Sequence, residues 1–440
     1  MKPFRRCIVA ISLFIIVFVQ FPAPSVAGNS SPGASPGYSL ADLCRLALKT
    51  AETIQASEND LVIAREDKRR AMSVLMPTAT AYGSYLKYRE PDTERPDVNA
   101  YGIKLNQSFT LNGKELIALR ITEDTIKQNE WTLQSVKDDY LYQIATAYYR
   151  IMSSKRVIDI AESDVNRLEK HRVAVNERLN VGEVTKTALF RAEAELSGAK
   201  TELVKAKNGL ILARAALKNL VSIEPDFILV ETGVTPFGDQ VPSFEQIQEK
   251  ALTNRAEIKA AQKTLDIAQK NLKYEKSAYW PRVSLEGGYA DTHAEFDKPI
   301  HGSADFDDLS IQAVLTFTLF DGGLRKADIR QSTAQEEKVR LSIGTLKKGI
   351  LLETEQAWLN HQTALSVLTT LKDELKSAEE NFNAVTMQFK YGIADSLDMI
   401  DANTLLVTAQ RKLVDAEFGL DLSILGIIRV QGEIVAQLTQ

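Results

Sequence analysis

Three aspartates spaced three residues apart form the pattern in this chain with the clearest chemistry. Asp395, Asp398 and Asp401 follow a turn at Gly392 and open a helical pattern. At this spacing, the three carboxylates lie roughly along one face of a helix. Crowded carboxylates around a narrow opening repel one another and favour cations. A capping role is the competing interpretation, because Asp395 suits an N-cap and Asp398 suits the first helical turn.

No pattern typical of an enzyme is present in the sequence. The chain has no His-Glu-x-x-His, no phosphate-binding Gly-rich loop and no Ser or Cys nucleophile in a recognisable elbow. His171 and His361 are isolated on helical patterns, and we interpret them as surface or interface residues. We therefore expect no catalytic residue and no cofactor.

The segment 291–308 contains His293 and His301 among several carboxylates. Histidine and carboxylate side chains are common zinc ligands. A solvated loop is the favoured interpretation, and we expect no metal site in it.

These residues belong to a chain that repeats itself. Ser39 opens a helical pattern that ends at a proline, and Ser243 opens a similar one at an offset of 204. Further along, Gly182 matches Gly392 at an offset of 210. The offset grows between the matched blocks, as expected of loops that accept insertions. The pattern predicts two tandem copies of one unit, each a helix, a β-hairpin, a long helix and a further helix.

The predicted copies span 28–220 and 243–440, and 221–242 links them. In the first copy the hairpin spans 78–111 and the two later helices 114–180 and 183–220. In the second copy the hairpin spans 281–320 and the later helices 323–391 and 395–436.

The absence of helix-breaking residues predicts long helices. Between Gly113 and Gly182 there is neither proline nor glycine. One helix of this length would measure about 100 Å. Its apolar residues recur at spacings of three, four and seven in two stripes, which favours neighbours on both sides. The second long helix is less regular, because Gly344 and Gly349 weaken it.

Four segments alternate between apolar and polar residues, namely 78–89, 101–111, 283–292 and 309–319. Each is about ten residues long, the length of a tilted membrane strand. Four strands cannot close a barrel, and lipid does not tolerate an open sheet edge. Eight strands would fill their own interior, whereas the twelve of a trimer leave a lumen. The count therefore predicts a homotrimer with a pore.

The first residues are typical of a cleaved signal peptide. Lys2, Arg5 and Arg6 precede the apolar segment 8–21, and small residues end at Ala27. We expect residues 1–27 to be removed after Ala27. An uncleaved anchor is the alternative.

The remaining composition limits the function further. The formal net charge is −5, which does not suit nucleic-acid binding. Without residues 1–27, Cys44 is the single cysteine, so no internal disulfide is expected. No later stretch approaches about 18 consecutive apolar residues, so an exported chain would enter a membrane as β-strands.

Two local motifs complete the pattern. Phe320-Asp321-Gly322-Gly323 follows the last predicted strand, and 391–402 reads YGIADSLDMIDA. With the duplicated unit, they resemble the TolC family of outer-membrane efflux and secretion channels over essentially the whole mature chain. The resemblance implies a mixed α and β membrane protein. Its trimeric 12-stranded outer-membrane β-barrel, with four strands per protomer, would continue into a long periplasmic α-helical barrel.

The same resemblance implies the function and the partners. The protein would be the passive exit duct of a tripartite efflux pump or a type I secretion system in a Gram-negative outer membrane. A periplasmic adaptor, an inner-membrane transporter and outer-membrane lipid would be its partners. A periplasmic adaptor protein with an uncleaved anchor is the alternative, and a soluble helical bundle is a third.

The resemblance also assigns residue roles. Asp398 and Asp401 correspond to a constriction ring at the periplasmic aperture, and Asp395 and Thr185 to helix caps beside it. The turns at Gly182 and Gly392 correspond to the sites that contact the adaptor.

One position departs from the family. Its best-known members have a basic residue two positions after the glycine that helps to lock the closed tip. This chain has Ala394 there, and Ala188 offers no acidic partner in the first copy. Either a lock of the closed tip differs in detail from theirs, or the resting tip of this protein is looser.

Overall fold

The computed structural model describes residues 37–89, 96–223, 227–230, 242–296 and 302–439. The predicted signal peptide, most of the predicted linker and His301 lie outside these residues. Helices dominate the described chain, with one four-stranded sheet and one two-residue strand pair.

The helices are α1 (Leu40–Thr50), α2 (Glu52–Ser73), α3 (Lys114–Asn180), α4 (Lys186–Val221), α5 (Phe244–Asn254), α6 (Ala256–Lys276), α7 (Leu324–Lys390), α8 (Ser396–Gln431) and α9 (Ile434–Leu438). The strands are β1 (Gly37–Tyr38), β2 (Thr78–Leu86), β3 (Asp97–Thr110), β4 (Ile228–Leu229), β5 (Arg282–Phe296) and β6 (Gly302–Thr316).

The corresponding long helices have equal lengths. Both α3 and α7 have 67 residues, and both α4 and α8 have 36. Helix α7 continues through Gly344 and Gly349, so these glycines do not interrupt it. At 1.5 Å per residue, α3 and α7 are each about 100 Å long.

The helix predicted to open each copy is two helices in the structure. The backbone becomes extended at Ala51, with ψ 121°, and at Arg255, with ψ 130°. These breaks separate α1 from α2 and α5 from α6. The last predicted helix, 395–436, also ends earlier, because Gly432 takes a positive φ of 71° before α9 begins.

The sheet is antiparallel in the order β2-β3-β5-β6. Residues paired across strands share a face, so the register divides the sheet into an apolar face and a polar face. The apolar face carries Ala79, Ala81, Ile103, Leu105, Val283, Leu285, Tyr289, Leu309, Ile311 and Leu315. The polar face carries Thr80, Lys104, Asn106, Ser284, Glu286, Ser310 and Gln312. Lys104 and Glu286 form an ion pair of 3.7 Å on the polar face.

The helices form one layer in which α3 and α7 run the full length. In the half near the sheet, α2 packs on α3, α3 on α6, and α6 on α7. In the far half, α4 packs on α3, α3 on α8, and α8 on α7. The layer therefore ends at α2 and α4 on one side, which we call the α2–α4 side, and at α7 on the other, the α7 side.

Both sides carry exposed apolar residues. On α4 these are Phe190, Val204, Ile211 and Leu212, and on α7 they are Leu341, Leu352, Leu359 and Met387. The outer edges of β2 and β6 lie on the same two sides and pair with no strand that the structure describes.

The largest core lies midway along the helices, where α1, α3, α4, α8 and α9 meet. Tyr148 is buried there and donates a hydrogen bond to the carbonyl of Val230 at 2.7 Å. Strand β4, from the predicted linker, pairs in parallel with β1 beside this core. Within the described ranges, no helix is both long enough and apolar enough to cross a bilayer.

Candidate functional site

The end of the molecule far from the sheet consists of two helix hairpins, α3–α4 and α7–α8. Gly182 and Gly392 lie in their turns with φ values of +80° and +76°. The Glu183 amide donates to the carbonyl of Arg178 at 2.9 Å, and the Ile393 amide donates to that of Gln388 at 2.9 Å. These bonds are those of helix ends closed by a left-handed glycine. Both turns therefore have the C-cap geometry expected from the sequence.

The turns present apolar side chains at the extreme tip. Val181 in the first turn and Tyr391 and Ile393 in the second are each more than two-thirds exposed. Exposed large apolar side chains that cluster at one end of a molecule are typical of a contact surface.

Asp395 and Asp398 bind each other's backbone at the start of α8. Asp395 Oδ1 accepts from the amides of Leu397 at 2.7 Å and Asp398 at 3.0 Å. Asp398 Oδ2 accepts from the Asp395 amide at 2.9 Å. The pair is a reciprocal capping box, so the expected N-cap role of Asp395 is present.

Asp401 differs from these two aspartates. It is exposed one turn further along α8 and makes no hydrogen bond or ion pair with a residue that the structure describes. Asp398 is also exposed, so both carboxylates predicted to form an aperture reach the surface of one helix.

Thr185 occupies the N-cap position of α4 with an extended backbone, φ −89° and ψ 160°. Its side chain makes no capping hydrogen bond to the described chain, unlike that of Asp395. The two hairpins therefore share their turn geometry but not the side-chain cap.

The departure at Ala394 has a packing explanation. Ala394 is buried in a small apolar cluster with Val175, Ala192 and Phe389, and Ala188 packs against it. A long basic side chain at this position would have to leave the cluster.

A set of polar contacts joins α3 to the α7–α8 hairpin, and sequence patterns did not predict it. Arg178 Nη2 donates to the carbonyls of Phe389 and, at 3.2 Å, Lys390. Its guanidinium also lies 4.2 Å from the centroid of the Phe389 ring. A basic residue in the last turn of a helix is a usual C-terminal signal, but it does not reveal a partner on another helix.

Of the two predicted positions for His171, surface or interface, the surface position is wrong, because His171 is buried where α3 packs on α8. It is 5% exposed, and its Nε2 lies 2.9 Å from Ser396 Oγ, at the first position of α8. Burial, followed by the charge of Arg178, lowers the pKa of His171. His361 is likewise buried and lies 3.0 Å from Ser423 Oγ through Nδ1.

Asn403 supplies the third polar contact to α3. Its Oδ1 accepts from Arg167 Nε at 2.8 Å, and its Nδ2 donates to Asp164 Oδ1 at 2.7 Å. We call the contacts of Arg178, His171 and Asn403 the tip clasp.

The segment 291–308 is mostly strand rather than loop, since β5 continues to Phe296 and β6 begins at Gly302. His293 bonds to Asp305 across these strands. Among the described residues, no group of three or more His, Cys, Asp or Glu side chains is placed to hold a metal ion.

Comparison with known proteins agrees with this architecture. The profile of the family described as "Outer membrane efflux protein" matches residues 43–222 and 247–428. Outer membrane efflux protein BepC of Brucella suis is 24% identical over 392 residues, which cover 89% of this chain and 84% of BepC. Cobalt-zinc-cadmium resistance protein CzcC of Cupriavidus metallidurans is 24% identical over 403 residues, covering 89% of this chain and 92% of CzcC.

Solved structures show the same fold. The CmeC outer membrane channel of Campylobacter jejuni superposes with a TM-score of 0.77 at 16% identity, covering 89% of this chain and 85% of CmeC. The family profile covers both halves of the chain, including the two hairpins at the tip. This chain belongs to the outer membrane efflux protein family.

Proposed function

We propose that this chain is the outer-membrane exit duct of a tripartite efflux pump or a type I secretion system. Three copies form a passive channel whose twelve strands lie in outer-membrane lipid. Their helices extend the channel through the periplasm. A periplasmic adaptor and an inner-membrane transporter open the channel at its tip and supply the energy.

The two unpartnered sides of the layer carry this proposal. The α2–α4 side and the α7 side are different surfaces, so copies associate head to tail, and such contacts close into a ring. The edge of β6 in one copy pairs with β2 of the next, which removes the open edges that lipid excludes. Below the sheet, α7 packs against α2 and α4 of the next copy and buries the exposed apolar residues of both sides.

The two faces of the sheet support the membrane assignment. The face with Ile103, Leu309 and Ile311 is apolar and exposed in the single chain. The face with Lys104 and Glu286 is polar and faces the lumen of the closed ring. Strands of outer-membrane channels alternate in this way between lipid and water.

We assign Asp398 and Asp401 to the aperture. Threefold symmetry places six of their carboxylates around the end of the helical tunnel, where they favour cations. Asp395 caps the N-terminal end of α8 beside it, and Thr185 occupies the N-cap position of α4 without a side-chain cap. The turns of Gly182 and Gly392, with the exposed Val181, Tyr391 and Ile393, form the surface that the adaptor contacts.

Tandem duplication of one unit and removal of residues 1–27 complete the proposal. The equal lengths of α3 and α7, and of α4 and α8, support the duplication. Export to the outer membrane requires the signal peptide that the first residues predict.

The first experiment measures the mass and shape of the detergent-extracted protein, followed by its conductance in planar bilayers. We expect a trimer more than about 100 Å long, given the helix lengths, and an ion current through it. A monomer that retains its full β content would contradict the proposal. A trimer that passes no current at any voltage would support the proposed oligomer but contradict the proposed channel.

A further inference from the structure

The polarity of the two sheet faces reverses towards the hairpin ends of the strands, far from the helices. On the apolar face, Ile103, Tyr289 and Leu309 are paired across three strands at one level. At the next two levels towards the hairpins, the same face carries one tyrosine and otherwise polar residues, namely Tyr101, Asn99, Asp291, His293, Asp305 and Asp307. The face that is apolar along most of the sheet therefore becomes acidic near its end.

The polar face changes in the opposite sense. Within the described strands, its last charged residue before the hairpins is Asp308, which lies at the level of Gly102 and Ala290. Beyond that level the face carries small or apolar side chains that we call the apolar collar, namely Leu86, Val98, Ala100, Ala294, Phe296, Ala304 and Phe306. Ser84 and Thr292 are the only polar residues beside them in the strands that the structure describes.

This reversal marks the level at which the strands leave the membrane. On its helix side, the sheet has the apolar face that lipid requires and a polar face for a water-filled lumen. On its hairpin side, polar residues lie outside and apolar residues inside, as in a β-barrel that is surrounded by water. The seven residues from Tyr289 to Phe296 extend about 23 Å along β5. The barrel therefore continues beyond the lipid, and its lumen is apolar there.

Two bulky members of the apolar collar lie on the edge strands. Phe306 on β6 is 53% exposed and Leu86 on β2 is 49% exposed, whereas Ala294 in the middle of the sheet is 3% exposed. In the proposed ring, β6 of one copy pairs with β2 of the next, so three Phe306 and three Leu86 side chains line one end of the lumen. Apolar side chains that project into water associate with one another. These six side chains therefore narrow the lumen at this end.

We propose that the apolar collar is a second constriction of the channel, at the cell-surface end of the barrel, with Phe306 as its main side chain. A narrow section lined by apolar side chains loses its water and hinders charged solutes. Solutes with apolar surface lose less hydration on entering it. The collar therefore favours the exit of apolar or amphipathic solutes and hinders the entry of hydrated ions. The proposal rests on the proposed trimeric channel and concerns the end opposite to Asp398 and Asp401.

The reactivity of introduced cysteines towards reagents outside the cell tests the collar. Asp308→Cys places a thiol in the lumen on the helix side of the collar, and Asp307→Cys places one on the outer face at the neighbouring position. Cys44 does not interfere, because burial raises its pKa to about 12 and the thiolate is the reactive form. Intact cells with the full-length protein are treated with a cationic trimethylammonium methanethiosulfonate or with neutral N-ethylmaleimide. The mass of the extracted protein then gives the extent of labelling and confirms the trimer.

We expect the cationic reagent to label Asp308→Cys about ten-fold more slowly than Asp307→Cys, which corresponds to a barrier of about 1.4 kcal/mol. The neutral reagent should label both variants at similar rates. Adding Phe306→Ser should raise the cationic labelling of Asp308→Cys about ten-fold, whereas Phe306→Leu should leave it slow because the side chain stays apolar. Asp305→Ser is the matched control, since Asp305 lies next to Phe306 but on the outer face.

Equal cationic labelling of Asp308→Cys with and without Phe306→Ser, in intact trimers, would overturn the inference. So would equal cationic labelling of Asp308→Cys and Asp307→Cys. Labelling of Asp308→Cys that is equally slow with both reagents would contradict an apolar barrier. None of these results affects the proposed function, which fails only if the parent protein forms no conducting trimer.

Discussion

Asp395 and Asp398 cap each other at the start of α8, each accepting a hydrogen bond from the other's backbone amide, at 3.0 Å and 2.9 Å. One of the two carboxylates assigned to the aperture therefore also closes the helix end. Asp401, one turn later, caps no helix within the described chain. The two aspartates should consequently respond differently to substitution.

Asp401→Asn should raise the conductance and reduce the cation preference of the channel with little change in stability. The substitution removes three charges from the proposed aperture and no hydrogen bond within the protomer. Single-channel recording in asymmetric salt measures both quantities. Asp415→Asn is the matched control, because Asp415 is exposed on α8 about 20 Å from Asp401. An identical current from both variants would remove Asp401 from the aperture.

Gly392→Ala should destabilise the tip by about 1–2 kcal/mol, because alanine resists the left-handed backbone that the turn requires. Gly198→Ala is the opposite case, since Gly198 lies within α4 and a Cβ there meets no atom within 4 Å. That variant should gain about 1 kcal/mol from better helix propensity. Chemical denaturation of both variants compares the two effects. Equal stabilities would contradict the strain at Gly392.

Ile311→Lys should impair membrane assembly, whereas Gln312→Lys should not. The two residues are neighbours in β6 but lie on opposite faces, and Ile311 is 87% exposed on the apolar face. A lysine on the lipid side costs about 2–4 kcal/mol at the bilayer midplane. The fraction of trimer in the outer membrane measures assembly. Equal assembly of the two variants would contradict the assignment of the Ile311 face to lipid.

Asp138→Asn should stabilise the protein at neutral pH and have little effect near pH 4. Burial raises the pKa of Asp138 to about 6, from an ordinary value of 3.8. The folded state therefore holds the proton more tightly, and stability from this group falls as the pH rises from about 4 through 6. Asparagine removes the buried charge and keeps an oxygen that can accept the hydrogen bond from Gln134 Nε2.

The expected gain for Asp138→Asn at pH 7.5 is about 1–2 kcal/mol. Thermal unfolding of the extracted protein at pH 4 and pH 7.5 measures the difference. Asp139→Asn serves as control, because Asp139 is half-exposed and pairs with Arg429 at 2.9 Å. A gain of the same size at both pH values would contradict the role of ionisation.

Local signals in the sequence predicted the order of the elements along the chain. The absence of glycine and proline predicted α3, and Gly182 and Gly392 predicted the ends of both long helices. Asp395 predicted the start of α8. Each of these signals acts within one or two helical turns, through backbone conformation or a neighbouring amide. Such effects do not depend on the rest of the fold.

Tertiary packing decided what these signals could not. Ala51 and Arg255 interrupt helices although neither residue breaks a helix by itself, and the resulting segments pack on α3, α7 and α8. Strands β5 and β6 extend through polar residues, because cross-strand pairing satisfies their backbone.

The tip clasp could not be predicted from the sequence, because it too depends on tertiary packing. Arg178 and Phe389 are 211 positions apart, and His171 and Ser396 are 225 apart. Their contacts exist only because α3 packs against the α7–α8 hairpin. The sequence determined the long helices and where they turn, and the packing of those helices decided which side chains meet.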